Sequence, residues 1–282
     1  MGIQTLVQTY LADSTAQADQ QDRIQRRATN IAQLRAITQR FITRQINLAA
    51  FRTELETELH SGEDWGATGP GFLMNMNKLV KSHHDSANDV EAYLRDILRE
   101  LNASNLGPRI EQLHTFLLSE RARLRQTGKG NVAMAAGNSA FFLSIFAAWL
   151  DSPNQPDIYY LSLREGLYKL VKATIVPAPE GLNLGWRAVE VHTNAEHIAY
   201  VQLIQSIKSH VPPQLIVPYW AESFGYWAKN YSLINDSPPP PPTPKQEQFL
   251  ENDPLMPTPE PLLTQLIREI QHEILVEEPV IR

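Results

Sequence analysis

The segment from Asn138 to Leu170, NSAFFLSIFAAWLDSPNQPDIYYLSLREGLYKL, constrains the fold more than any other. It concentrates seven aromatic side chains: Phe141, Phe142, Phe146, Trp149, Tyr159, Tyr160 and Tyr168. A continuous apolar run enters a corner holding Pro153 and Pro156, each of which biases its predecessor away from helix. An amphipathic segment leaves that corner. The pattern predicts a buried helix over 141–150, a tight turn, and a second helix over 158–172, with the rest of a domain packed around them.

Composition sets the outer bounds. The chain has 282 residues, 43% of them hydrophobic and 20% charged, enough to bury a sizeable core and too apolar for global disorder. It has no cysteine, which excludes disulfides, Cys-ligated zinc, iron–sulfur clusters and a thiol nucleophile, and fits a reducing cytoplasm. The opening MGIQTLVQTYLADSTAQ lacks a basic start and a long apolar stretch, so no signal peptide is expected. The most apolar run, 133–150, contains Gly137, Asn138 and two serines. It reads as a core helix rather than a membrane span, and no membrane association is expected.

Charge is unevenly placed within a formal total of −6. From Arg23 to Arg52 there are seven arginines and no acid. From Pro244 onward Lys245, Arg268 and Arg282 face eight acids. Apolar residues at Ile24, Ala28, Ile31, Leu34, Phe41, Ile42, Ile46 and Ala49 recur near the helical period, so 23–48 is predicted as one long amphipathic helix. Arg26, Arg40 and Arg44 fall on its polar side, either as a phosphate-contacting stripe or as a solvated face whose stems cover apolar surface. The acidic sum weakens long-range steering toward a polyanion.

Helical spacing also marks 2–11, 48–59, 72–80, 87–101, 109–125 and 193–207, with Asp13 or Ser14, and Thr193 or Asn194, as helix starts. Residues 174–176 read as a short strand or extended segment, and 177–185 as loop. Over 215–234, Tyr219, Trp220, Phe224, Tyr226 and Trp227 form either a base-stacking platform or a core-sealing helix. Pro238 to Pro242 are consecutive, and Pro244, Pro254, Pro257 and Pro259 follow, which makes 235–260 a semi-rigid linker. A last helix is predicted over 261–276, with Leu262, Leu266, Ile270 and Ile274 on one apolar face suited to docking a partner. The fold class expected is mainly α: an irregular multi-helix domain over 1–234, the linker, and an isolated C-terminal helix within 261–282.

Chemical motifs are sparse. The loop 62–72 holds Gly62, Gly66, Gly69 and Gly71, but its spacing fits neither the Walker A pattern nor the dinucleotide fingerprint, so a structural turn plugged by Trp65 is expected. Gly128-Lys129-Gly130 matches a phosphate loop only in Gly-Lys. His83 and His84 beside Asp85 make a poor chelate, because helical neighbours point about 100° apart; an exposed loop is expected there. Pro156-Asp157 lacks the acid-x-Lys that would complete a nuclease motif, and no GxSxG, HExxH or kinase set occurs. No catalytic residue, metal or cofactor is expected from these patterns.

Three stretches in order resemble the N-terminal region of McrB-like AAA+ proteins, the nucleotide-driven motors of modification-dependent restriction systems. The first is Trp65-Gly66, then Gly71-Phe72 running into Asn77-Lys78-Leu79-Val80-Lys81. The second is 139–146, SAFFLSIF, continuing to 158–167, IYYLSLREGL. The third is 266–282, LIREIQHEILVEEPVIR, which resembles the lead-in to the ATPase module. The chain departs from the pattern of many McrB-like proteins in having no Trp-Pro; Gln155 precedes Pro156. The resemblance implies that Walker and arginine-finger residues would lie beyond Arg282, and that this chain by itself is no nucleotidase. It implies a recognition or partner-binding region that engages DNA, a nuclease subunit or an AAA+ module. The residues expected at DNA are Arg26, Arg40 and Arg44, then Trp220 and Trp227. The alternative is a self-standing helical scaffold that docks a protein through its C-terminal helix.

Overall fold

A computed structural model of the protein describes residues 2–61, 65, 71–85, 89–151, 154 and 156–232. The described part is mainly α, as the periodicity predicts. The proline linker and the C-terminal helix, with Leu262, Leu266, Ile270 and Ile274, lie outside the described residues. So do Gly62, Gly66 and Gly69.

Helix α1 (Ile3–Ala12) ends where Asp13 turns the chain, and the Asp13 carboxylate accepts from the Thr15 and Ala16 N–H groups at 3.1 and 3.0 Å. That cap starts α2 (Ser14–Ile42) earlier than apolar spacing alone indicates. The predicted continuous helix to residue 48 does not form. Arg44 adopts a left-handed backbone (φ 64°), and Asn47 restarts the chain by accepting from Ala50 N–H at 2.9 Å. Helix α3 (Leu48–Ser61) then folds back on α2, with Phe41 stacked on Phe51 at 4.2 Å.

Helix α4 (Phe72–Asp85) runs through the His83-His84-Asp85 triplet, which is therefore helical and not a loop. Apolar spacing ends at Val80, but the helix continues through polar residues, of which Ser82 is buried and donates to Glu120 Oε1 at 2.9 Å. Helices α5 (Val90–Leu98) and α6 (Leu106–Gln126) follow, and α6 places Pro108 in its first turn, where a missing N–H breaks no bond. Helix α7 (Ser139–Leu150) is buried along almost its whole length. Phe142, Phe146 and Trp149 meet Phe72 from α4 at centroid distances of 5.3–5.6 Å, the centre of the core. The stretch 130–150 is the one span among the described residues long and apolar enough to cross a membrane, but 72% of its most apolar window is buried inside the fold.

After the corner, α8 (Leu161–Lys172) pairs closely with the last helix, α10 (Trp220–Asn230). The crossing is made at two glycines. A Cβ on Gly166 would sit 2.1 Å from the Gly225 carbonyl oxygen, and a Cβ on Gly225 would sit 2.4 Å from Leu163 Cδ1. No strand forms at 174–176, where Thr174 is left-handed (φ 55°). A two-stranded antiparallel hairpin appears just beyond, β1 (Asn183–Leu184) with β2 (Val189–Glu190), Leu184 opposite Val189. Its tip carries Trp186, 93% exposed. Helix α9 (Asn194–Lys208) opens on a capping box: Thr193 accepts from Glu196 N–H, and the Glu196 carboxylate accepts from Thr193 N–H.

Candidate functional site

The aromatic corner is where the chain collects its buried polar chemistry. Residues 158–160 belong to neither helix nor strand; the Tyr160 N–H donates to the Ile158 carbonyl at 2.8 Å, and the other two backbone N–H groups find side-chain partners on other helices. Tyr159 N–H donates to Ser144 Oγ on α7 at 3.0 Å, and Ile158 N–H donates to Glu222 Oε1 on α10 at 2.9 Å. The other Glu222 oxygen accepts from Arg27 Nη1 at 2.8 Å, and Arg27 Nη2 donates to the Tyr160 hydroxyl at 3.1 Å. The Tyr160 hydroxyl in turn donates to the Trp65 carbonyl.

Arg27 is 2% exposed and is boxed by rings, with Tyr219 at 4.2 Å, Trp65 at 4.9 Å and Tyr160 at 5.6 Å. Tyr219 adopts a left-handed backbone (φ 62°) to place its ring there. Burial works against the charge on Arg27, and the Glu222 carboxylate beside it restores that charge and holds the guanidinium protonated. Burial pushes the Glu222 carboxyl above the usual carboxylate range, and Arg27 opposes that push. The expected Trp65 plug is present: its ring is 1% exposed and its Nε1 donates to Asn30 Oδ1 at 2.8 Å. This assembly is a structural joint, closed to solvent.

On the other side of the same corner is an open cleft of about 220 Å3. Leu106, Pro156, Val201 and Ile204 supply apolar wall; Tyr159, His197 and Tyr200 supply polar rings. Along α9, His197 and Tyr200 are three residues apart, and Ile204 and Lys208 continue the face at steps of four. Helix α6 comes close at Gly107, where a Cβ would lie 2.5 Å from His197 Cδ2. The Tyr159 ring stacks on Tyr200 at 4.4 Å, and its hydroxyl lies 2.6 Å from His197 Nδ1. Burial holds the Tyr159 phenol well above its ordinary pKa and the His197 imidazole below its own, so a neutral phenol and a neutral ring share that hydrogen bond. Asp157 pairs with Lys208 at 2.9 Å. The Tyr200 hydroxyl is buried with no hydrogen-bond partner, and the residue is 1% exposed.

The arginine stripe is largely neutralised by its own surroundings. Arg26 pairs with Asp22 at 2.5 Å and Arg40 with Glu54 at 2.7 Å, both in solvent. Arg52 binds Glu56 through two bonds, and Arg35 donates to the Trp149 carbonyl at 2.7 Å. Arg44 is exposed on the turn after α2, not on the helix face assigned to it by periodicity. Residues 1–234 carry 22 basic and 22 acidic side chains, so the whole formal charge of −6 belongs to 235–282.

The stacking platform does not form as pictured either. Trp220 is 1% exposed and stacks on Phe224 at 4.9 Å, the core-sealing arrangement. Trp227 is half-buried, stacks on Tyr231 at 4.4 Å, and donates from Nε1 to Asp13 Oδ2 at 2.9 Å. It borders a second cleft of about 270 Å3 with Asp19, Arg23 and Tyr226. Asp85 on α4 pairs with Lys129 at 2.6 Å, and no group of three metal-ligating side chains occurs among the described residues.

The site residues that sequence reasoning passed over are His197, Tyr200 and Lys208. Their common face on α9 was visible as spacing, but only the fold brings Tyr159 and Asp157 against it. No family model, curated protein or solved structure matches this chain.

Proposed function

We propose that this chain is the non-catalytic recognition and partner-binding region of an McrB-like AAA+ motor, with residues after Ile234 leading toward an ATPase module. The observation that supports the reading is the location of the resembling segments. Residues 139–146 make up most of α7, and 158–167 make the corner and the start of α8, so the likeness falls on the elements that organise the body and border its cleft. Within this reading a protein partner is favoured over duplex DNA. The folded part is charge-balanced, and arginines already seated on carboxylates offer phosphates little net attraction.

Two measurements test it. In a gel-shift titration, DNA contact requires a complex that weakens as salt rises from about 50 to 200 mM and is lost in Arg40→Glu plus Arg44→Glu. No salt-sensitive shift removes DNA from the proposal and leaves the partner. The reading frame after codon 282 tests the motor half: an in-frame P-loop is expected, and its absence there counts against the McrB-like reading. The charge balance also keeps the scaffold alternative in play. Under it, deleting 261–282 abolishes capture of a purified partner and leaves the melting temperature nearly unchanged.

A further inference from the structure

We propose that the cleft between the start of α2 and the end of α10 is a binding site for a free α-amino acid with an aromatic side chain. This does not depend on the motor reading. A volume of about 270 Å3 suits one ring with a few further atoms and is small for a nucleotide. Tyr226, Trp227 and Tyr231 give the cleft an aromatic wall. Trp227 is fixed in that wall by its stack on Tyr231 and by its bond to Asp13.

Two opposite charges set the ligand's functional groups. Asp19 and Arg23 both line the cleft, four residues apart on α2. An acid followed by a base at that spacing ordinarily closes into a surface pair. Here the pair stays open: among the described residues, neither side chain has a hydrogen bond or an ion pair. Asp19 is exposed, and although Arg23 Nε is enclosed, its two Nη groups are neither bonded nor enclosed. Arg23 acts on Glu222 only through space, because Glu222 is bonded to Arg27 and to Ile158 N–H. The third charge in the cleft, Asp13, is committed to its own helix cap and to Trp227 Nε1. Side chains four apart on a helix have Cβ atoms about 5–6 Å from each other. An ammonium and a carboxylate carried on one carbon fit that spacing, which the separated ends of a peptide do not. The ammonium would donate to Asp19, the carboxylate would accept from the Arg23 Nη groups, and the ring would lie against the aromatic wall. A simple anion would meet two carboxylates for one guanidinium, and a simple cation would leave Arg23 unanswered.

The test titrates the full chain with L-phenylalanine, hydrocinnamate and phenethylamine, followed by ligand-observed NMR. All three carry the same ring, and the last two each lack one of the charges. L-phenylalanine is expected to bind about tenfold more tightly than either, the worth of one hydrogen bond between charged groups. Asp19→Ala should weaken L-phenylalanine about tenfold and hydrocinnamate not at all. Arg23→Gln should weaken L-phenylalanine to the same degree and phenethylamine not at all. Both variants should keep the parent's helical signal, because neither side chain bonds within the fold. The proposal is overturned if L-phenylalanine does not bind, if either singly charged probe binds as tightly, or if either variant leaves L-phenylalanine affinity unchanged. Equal binding of phenethylamine would make the cleft a cation site instead. The three-probe comparison on the parent chain decides the matter even where a variant fails to fold.

Discussion

Arg27 and Glu222 lie 195 residues apart in sequence and meet at 2.8 Å, each with a side chain only 1% accessible to water. The pair ties α2 to α10 and, through Ile158, to the aromatic corner. A buried ion pair adds little net stability against a well-packed apolar substitute, but losing one member strands the other. Glu222→Gln keeps an acceptor for Ile158 N–H and leaves Arg27 without its counter-charge. It is expected to lower unfolding free energy by about 3–5 kcal/mol in urea titration. Adding Arg27→Met should recover part of that loss; a double variant as unstable as the sum of the singles would show that the charge pairing is not what matters.

The α8–α10 crossing makes the second prediction. At Gly166 the obstructing atom is the backbone carbonyl of Gly225, which has no rotamer to move to. Gly166→Ala should therefore cost about 1–3 kcal/mol or more, despite the better helix propensity of alanine. Gly2→Ala, with nothing within 4 Å, should stay within about 0.5 kcal/mol of the parent. Thermal melts of the two variants side by side decide the point.

The capping box at the start of α9 makes the third. Thr193→Ala removes the hydroxyl that accepts from Glu196 N–H and should cost about 1 kcal/mol. Because Glu196 also binds Asn183 at 2.7 Å, hydrogen exchange of the β1–β2 amides should quicken in the same variant. A loss of stability without faster exchange would separate the hairpin from the cap.

The fourth prediction concerns pH. Burial holds His192 and His197 below the ordinary imidazole value, and His114 adds to the effect at His192. As pH falls below about 6.5 the unfolded chain takes up protons that the folded chain does not. Their contribution is complete above that value and is lost as pH falls through the folded-state values. The melting temperature should drop between pH 7 and pH 5, and drop less in His192→Gln plus His197→Gln. Comparison with that variant isolates the imidazoles from Glu222, whose raised pKa acts in the opposite sense. Equal slopes for the two proteins would refute the assignment.

Much of the fold was legible because it rests on local rules. Apolar spacing placed every helix of the described part to within a turn or so at most ends, and Asp13 and Thr193 act as the caps their chemistry suggests. Most of the errors arise where a boundary or a charge balance is set by a non-local partner or a single backbone conformation. The long second helix breaks at Arg44, a left-handed residue that no periodicity announces. The arginine stripe looked basic because its counter-charges fall outside the acid-free run 23–52: Asp22, one residue before it on α2, and Glu54, on α3. The cleft was invisible for the same reason: Tyr159 and His197 are 38 residues apart and belong to different elements. The hairpin was missed because two-residue strands carry no alternating pattern.

Trp186 gives the molecule a built-in optical reporter. Trp65, Trp149 and Trp220 are shielded in the core, whereas the indole at the hairpin tip is 93% open to water. Iodide should quench that emitter most strongly and the half-buried Trp227 less, while the three shielded ones keep glowing. Any partner that settles over the tip will reveal itself as a blue-shifted, quencher-resistant signal, distinct from the collective red shift that marks unfolding.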